Sequence, residues 1–362
     1  MMGKLTREQY RERTAAKVAA AQEVLAAEVA SLVTGEDWRK FLDFQARLHD
    51  YSANNVMLIF AQHATAYEEG RVPEPAPTYI AGFETWRALG RTVERGQHGY
   101  AVLAPMRATR RQARDSEGNV RPLHRGDRPS VGETETRTPV IRGFTVATVF
   151  DASQTSGKSL PDPPRPRLLA GEAPLGLGAA VKGLIESKGF SVDTVADASY
   201  LQGANGQTNW SNQEVLIRAD MDDAAMVKTL IHEAAHVLLH QAAPARYLPR
   251  GLKEVEAESV AYLVASVHGM PTDEYSFPYV AGWAGVEADK AIRGTQSRVN
   301  AAAQAIIAAS PAEHTGGARP PGTDLVMAQV HRLEGEVATA HLDPHGLRSE
   351  AVTPSHGGLD VA

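Results

Sequence analysis

The chain has 362 residues, with 37 Lys+Arg against 43 Asp+Glu and a formal net charge of −6. That length suffices for two domains. The complete absence of cysteine excludes disulfides and thiolate-held metal. No apolar run approaches the roughly 20 residues a spanning helix needs, so the expectation is a cytoplasmic protein with no membrane partner. Charge is uneven along the chain. Residues 1–150 hold 21 Lys+Arg against 18 Asp+Glu, which leaves 16 against 25 for the remainder. A basic first part joined to an acidic second part points to a polyanion as the partner of the first.

In chain order, helical patterns cover 5–33, 36–50 and 53–67. The first is rich in Ala but studded with Arg, Lys and Glu, a surface helix rather than a leader segment. Pro73, Pro75 and Pro77 break the pattern. A short strand, a helix around Phe83–Leu89 and a strand at Tyr100–Ala104 follow. The Arg-rich stretch 107–139 is polar and contains Gly and Pro, so it reads as a mobile excursion between strands, and Val140–Phe150 reads as a strand. Residues 156–174 read as an interdomain linker. A helix near 175–188 and strands at Phe190–Val195 and Glu214–Arg218 come next, the last expected at the edge of a site where an extended substrate can pair with it. A helix near 287–309 follows Tyr275–Gly285. The tail 311–362 is expected to be largely disordered, apart from a helix at 324–339.

The chemistry is concentrated in His232-Glu233-Ala234-Ala235-His236. Residues four apart share a helix face, so His232 and His236 can hold one metal ion, and Glu233 can reach a water on that ion as general base. Asp220 or Asp222 can cap the helix. Two histidines and a glutamate on a helix this apolar would be costly to bury without a partner, and a metal supplies one. A third ligand is needed. A second helix containing Glu254, Glu256 and Glu258 follows. Glu254 is the expected ligand, Glu258 the carboxylate that orients a histidine through its free ring N–H, and Glu256 the fallback. Imidazole with carboxylate favours Zn²⁺, with Mn²⁺ as the alternative. Tyr262, His268 and Tyr275 are candidate oxyanion donors, and His240 is expected at the rim or surface.

In the first part, Arg87, Arg91, Arg95, Arg107, Arg110 and Arg111 are candidate phosphate contacts, with Tyr100 among the aromatics that can stack on bases. Asn54 and Asn55 are further candidate contacts. Against this, Phe83, Trp86 and Leu89 fall at helical spacing and read as core.

Two regions together are familiar. Tyr51–Ile59, Ala81–Val93, Gly96-Gln97-His98-Gly99-Tyr100, Ala104-Pro105 and Val149–Thr155 resemble the N-terminal domain of ArdC-type antirestriction proteins. His232–His236 with Glu254–Ala261 resembles the ArdC and ImmA/IrrE-like metallopeptidase domains. Gln97-His98 departs from the glutamate usual in that turn, and Glu258 stands where related peptidases often have Asn or Asp. The resemblance implies an α+β protein of two domains: a single-stranded-DNA-binding domain over 1–155 and a zincin-like metallopeptidase domain over 175–310. The implied partners are single-stranded DNA and a protein or peptide substrate. The rival reading is an antirestriction protein that shields incoming single strands and leaves its zinc domain structural. A third is a sensor peptidase stimulated by single-stranded DNA.

Overall fold

The first three helices are set by capping and by one strongly amphipathic segment. In the computed structural model, which describes residues 6–32, 34–124, 126–161, 171–243, 245–273, 275, 277 and 288–324, α1 spans Arg7–Ser31, α2 Gly35–Arg47 and α3 Ala53–Glu68. Thr6 with Gln9 and Thr34 with Asp37 form reciprocal capping boxes at α1 and α2, each satisfying donors the first turn leaves open. Helix α2 buries Trp38, Phe41, Leu42 and Phe44 on one face.

The strands are β1 (Ile80–Gly82), β2 (Arg91–Val93), β3 (Tyr100–Arg114), β4 (Val120–Leu123), β5 (Thr134–Asp151) and β6 (Thr155–Gly157), with α4 at Phe83–Ala88. They form an antiparallel sheet in the order β1-β5-β3-β4 and a two-stranded ladder β2-β6. The second part contributes α5 (Leu177–Glu186), β7 (Ser191–Val195), β8 (Gly206–Asn209), β9 (Glu214–Arg218), α6 (Asp223–His240), α7 (Arg250–Val267) and α8 (Ala288–Ala309). Its sheet has the order β7-β9-β8, with β7 parallel and β8 antiparallel to β9. The architecture is mixed α+β.

Two expectations are corrected. Residues 107–139 are largely strand: β3 continues to Arg114, β5 begins at Thr134, and the two pair throughout except for an irregularity at Met106/Arg107. Cross-strand hydrogen bonds and the Arg111–Glu135 and Arg121–Glu133 ion pairs, at 2.8 and 2.6 Å, hold a ribbon that has no apolar face to announce it. Residues 311–320 are packed. Ile80 N donates to Ala318 O, Thr315 N donates to Val267 O at 2.8 Å, and Arg319 pairs with Asp50 at 3.0 Å. The rest of that tail from 325, including the helix expected over 324–339, lies outside the described residues, as do 162–170 of the expected linker and most of Tyr275–Gly285.

Helices on either side of the linker expected at 156–174 pack on one another. Met1–Pro320 is one compact unit. Trp38 Nε1 of α2 donates to Ser259 Oγ of α7 at 2.9 Å, and both residues are fully buried. Gln45 Nε2 donates to Asn300 Oδ1 of α8 at 2.8 Å, and Gln296 Nε2 donates to Ala53 O at 2.6 Å. One face of α7 thus lies on α2, which leaves the other to meet α6. Among the described residues no helix is long and apolar enough to cross a membrane.

Candidate metal centre

Helix α6 begins at Asp222, whose Oδ1 accepts Ala225 N at 2.8 Å; Asp220 instead pairs with Arg218. At 3.6 residues per turn, His232 and His236, four apart, stack on the face turned to α7. Their Nε2 atoms lie 3.2 Å apart. Glu254 Oε2, from the first turn of α7 facing them, lies 3.5 Å from His232 Nε2 and 3.6 Å from His236 Nε2. Three donors of a tetrahedral ion with bonds near 2.0–2.1 Å sit about 3.3–3.4 Å from one another, and this triangle has that size. These are the described residues whose arrangement can hold a metal ion. The chemistry agrees with the geometry. Two imidazole nitrogens and a carboxylate oxygen converge only around shared positive charge, which can be a proton or a cation.

The electrostatics of His232 show the same demand. Burial works to lower its pKa, but Glu254, Glu258 and Glu233 outweigh it and raise the ring to about 9. Hydrogen bonds from His232 and His236 hold Glu254 well below the usual carboxylate range. Glu258 Oε2 is 3.2 Å from His232 Nδ1, the orienting position expected of it.

Glu233 is 6% exposed, and Thr208 Oγ1 of β8 donates to its Oε2 at 2.6 Å. Gly206, on the same strand, is required by close approach. A Cβ there would lie 2.7 Å from Thr229 Cγ2 and 3.0 Å from Glu233 Oε1, nearer than side chains tolerate. The centre opens into a cavity of about 1060 Å³ lined by β8, by α6 and α7, and by Lys228, Arg250, Lys253, Trp210 and Tyr275.

Several expectations about the site are corrected. Strand β9 is the central strand of its sheet, and β8 is the edge strand beside the site, so Glu214–Arg218 is not available to an incoming chain. His240 is not at the rim: it is 1% exposed, and Glu256 is fully buried. Glu256 is no fallback ligand, because its carboxylate bonds His240, Thr295 and Arg298. Of the oxyanion candidates only Tyr275 lines the cavity. Tyr262 is buried, with its hydroxyl on Asp43 of α2, and His268 is buried between Val264 O and Ser310 Oγ. Thr208, Gly206 and the His240–Glu256 pair were missed. His240, continuing the four-residue histidine spacing, was the one with a readable signal.

The expected nucleic-acid contacts divide in two. Asn55 Nδ2 donates to Leu103 O at 3.0 Å while its Oδ1 accepts Leu103 N at 2.8 Å, so it fastens α3 to β3 and is not free. The guanidinium of Arg91 bonds Thr155 Oγ1 and the carbonyls of Thr155, Lys158 and Ala152. Tyr100 is buried, its hydroxyl 2.8 Å from His63 Nδ1. Arg111 is bound bidentately to Glu135. These four are structural. Asn54, Arg87, Arg95, Arg107 and Arg110 are exposed, Arg87 within 3.7 Å of Glu84. Sequence reasoning passed over Phe144, Ile141 and Met106, large apolar side chains 48%, 61% and 44% exposed. They lie in the same stretch of the ribbon, where Pro105 pairs with Phe144, Met106 with Gly143 and Arg107 with Ile141, and where Arg142 is also exposed.

A paired-histidine helix with an opposing carboxylate is an arrangement of the H-E-x-x-H type that could hold a metal ion. It lies outside the part of the chain with a family match. Residues 8–147 match the model of the N-terminal domain of anti-restriction factor ArdC, so this stretch of the chain is similar to that domain. Over 279 residues the chain is 27% identical to an uncharacterized protein of Bacillus anthracis, covering 68% of this chain and 43% of that protein; the chain thus spans less than half the length of that relative. Two solved structures of the antirestriction ArdC protein from plasmid R388 are similar. The metal-free form has a TM-score of 0.41 and 19% identity, over 72% of this chain and 85% of that one. The Mn(II)-bound form has a TM-score of 0.44 and 17% identity, over 81% and 98%.

Proposed function

We propose that the protein is a zinc-dependent metalloendopeptidase of zincin type, coupled to a single-stranded-DNA-binding region and serving an antirestriction role. The observation that carries the enzymatic reading is the triangle of His232 Nε2, His236 Nε2 and Glu254 Oε2, with the buried carboxylate of Glu233 in the same cavity. A bound divalent ion, Zn²⁺ or Mn²⁺, would acidify water and polarise a carbonyl there. Glu233 is the base: Thr208 fixes one of its oxygens, and the carboxylate takes the proton of the attacking water and returns it to the leaving amine. The edge strand β8 offers backbone groups to an extended polypeptide. Tyr275 and the cationic rim of Lys228, Arg250 and Lys253 face the same space. Metal content and cleavage of a denatured protein, compared between wild type and Glu233→Gln, test this. A variant as active as wild type would refute the role of Glu233.

The DNA-binding part of the reading is supported by the match of residues 8–147 and by Arg107, Arg110, Arg142 and Phe144, all exposed on the same ribbon. Guanidinium groups meet phosphates, and an exposed ring stacks on an unpaired base. The family match ends before the metal helices. That observation favours a second reading, in which the protein shields single strands and the metal centre is structural. Glu233→Gln would then retain full protection of incoming DNA, whereas the peptidase reading expects protection to be lost.

A further inference from the structure

We propose that His240 and Glu256 are positioning residues of the metal centre, forming a buried relay that fixes the ring of His236 and the nitrogen it turns toward the cation. The inference rests on the metal reading of His232, His236 and Glu254. His236 Nδ1 lies 3.0 Å from His240 Nδ1, and His240 Nε2 lies 2.9 Å from Glu256 Oε2. Glu256 Oε1 accepts from Thr295 Oγ1 at 3.0 Å and from Arg298, whose Nε is 2.9 Å away. Side chains of both His240 and Glu256 are completely buried.

The proton count gives this chain a direction. A histidine that offers Nε2 to a cation carries its ring proton on Nδ1. His236 Nδ1–H therefore donates to His240 Nδ1, which places the proton of His240 on Nε2, where it donates to Glu256. Every polar atom along the relay then has a partner, and the carboxylate charge is balanced by Arg298. In the opposite arrangement, a neutral His240 would turn a bare Nε2 toward the Glu256 oxygen, two acceptors at 2.9 Å. Glu256 is thus what selects the tautomer of both rings.

The two ligand histidines are consequently supported differently. His232 Nδ1 meets the Glu258 carboxylate directly, and that side chain is 33% exposed. His236 meets a neutral imidazole, with its carboxylate one residue further back and dry. The buried cluster ends on the spare nitrogen of His236 and draws its counter-charge from a third helix, α8.

The test uses the full chain with Zn(II) alone as probe. In competition against a chelator, His240→Leu is expected to raise the Zn(II) dissociation constant by roughly 10–100-fold, the cost of removing an outer partner of a ligand. His240→Gln, which keeps an acceptor and a donor, is expected to recover most of the affinity. A folded His240→Leu protein with wild-type affinity would overturn the relay while leaving the metal centre intact. Failure of the wild type to take up Zn(II) would overturn the metal reading and the relay with it. Should His240→Leu fail to fold, nitrogen-15 spectra of the wild-type imidazoles decide: with Zn(II) bound, His236 is expected as the Nδ1–H tautomer and His240 as the Nε2–H tautomer. The reverse at His240 would overturn the relay.

Discussion

Protons and a cation compete for the same place between α6 and α7, and the competition can be measured. In the metal-free protein the carboxylates of Glu254, Glu258 and Glu233 outweigh burial and hold His232 at about 9. The ring is therefore charged over most of the neutral range, and metal uptake must expel its proton. The apparent affinity for Zn(II) is expected to rise about tenfold per pH unit up to about pH 9 and then level off. Glu254→Gln keeps the shape of the side chain and removes its charge. Because Glu254 makes the largest of the contributions that raise His232, the levelling point should move down toward the ordinary histidine value of about 6.5. Affinity should fall by more than the roughly 100-fold that outer-shell changes cost, because an anionic ligand is lost. Chelator competition between about pH 6 and about pH 9.5, on both proteins, reads both quantities. A flat profile in the wild type, or a break that does not move in the variant, would refute the reasoning.

Other predictions follow from single contacts. The folded pKa of His232 lies above the unfolded value of about 6.5, so its charge stabilises the metal-free fold fully below that value. This stabilisation is lost as pH rises through about 9, and the melting temperature of chelator-treated protein should fall across that window. Gly206→Val would drive side-chain atoms into Thr229, Ile217 and Glu233; overpacking of this kind costs about 1–3 kcal/mol, and denaturant melts should show it. Asn55→Ala removes both bonds to Leu103 and should destabilise by about 1–3 kcal/mol, with no change in affinity for single-stranded DNA measured on the folded protein by fluorescence anisotropy. Arg107→Ala and Arg110→Ala should do the converse, each weakening binding and reducing the salt slope by about one while leaving stability unchanged.

How much of this was legible depends on whether the signal is local. The triple His232-Glu233-His236 needs only the helical period, and Glu254 only a second helix close behind, so the metal triangle could be read from spacing. Thr208 and Gly206 could not. They reach Glu233 from 25 and 27 positions upstream, on a four-residue strand too short and too polar to register. The extension of β3 past Ala104 and of β5 ahead of Val140 is hidden for a related reason. The two strands there alternate Arg, Thr, Gln and Glu on faces that are both wet, and the period-two rule sees a strand only when one face is apolar. The candidate DNA contacts failed differently. Composition identifies arginines but not what occupies them, and Arg91 and Arg111 are consumed by carbonyls and carboxylates of the same domain.

The packing between the two parts of the chain bears on the site itself. Pro and Gly between 156 and 174 look like a boundary, and the sequence contains nothing to say that helices on either side share a core. Yet α7 meets α6 and α2 from different sides. Its Glu254 and Glu258 turn to the histidines, while Ser259 accepts the indole N–H of Trp38 and the Tyr262 hydroxyl donates to Asp43. Helix α8 repeats the pattern, with Arg298 on Glu256 and with Gln296, Asn300 and Gln304 on α3 and the turn before it. The carboxylates that complete the metal centre are therefore positioned by a helix whose opposite face is buried by the ArdC-like part of the chain. A site whose ligands must be held to a fraction of an ångström depends on both faces being filled, so α2 and the start of α3 belong to the support of the candidate metal centre.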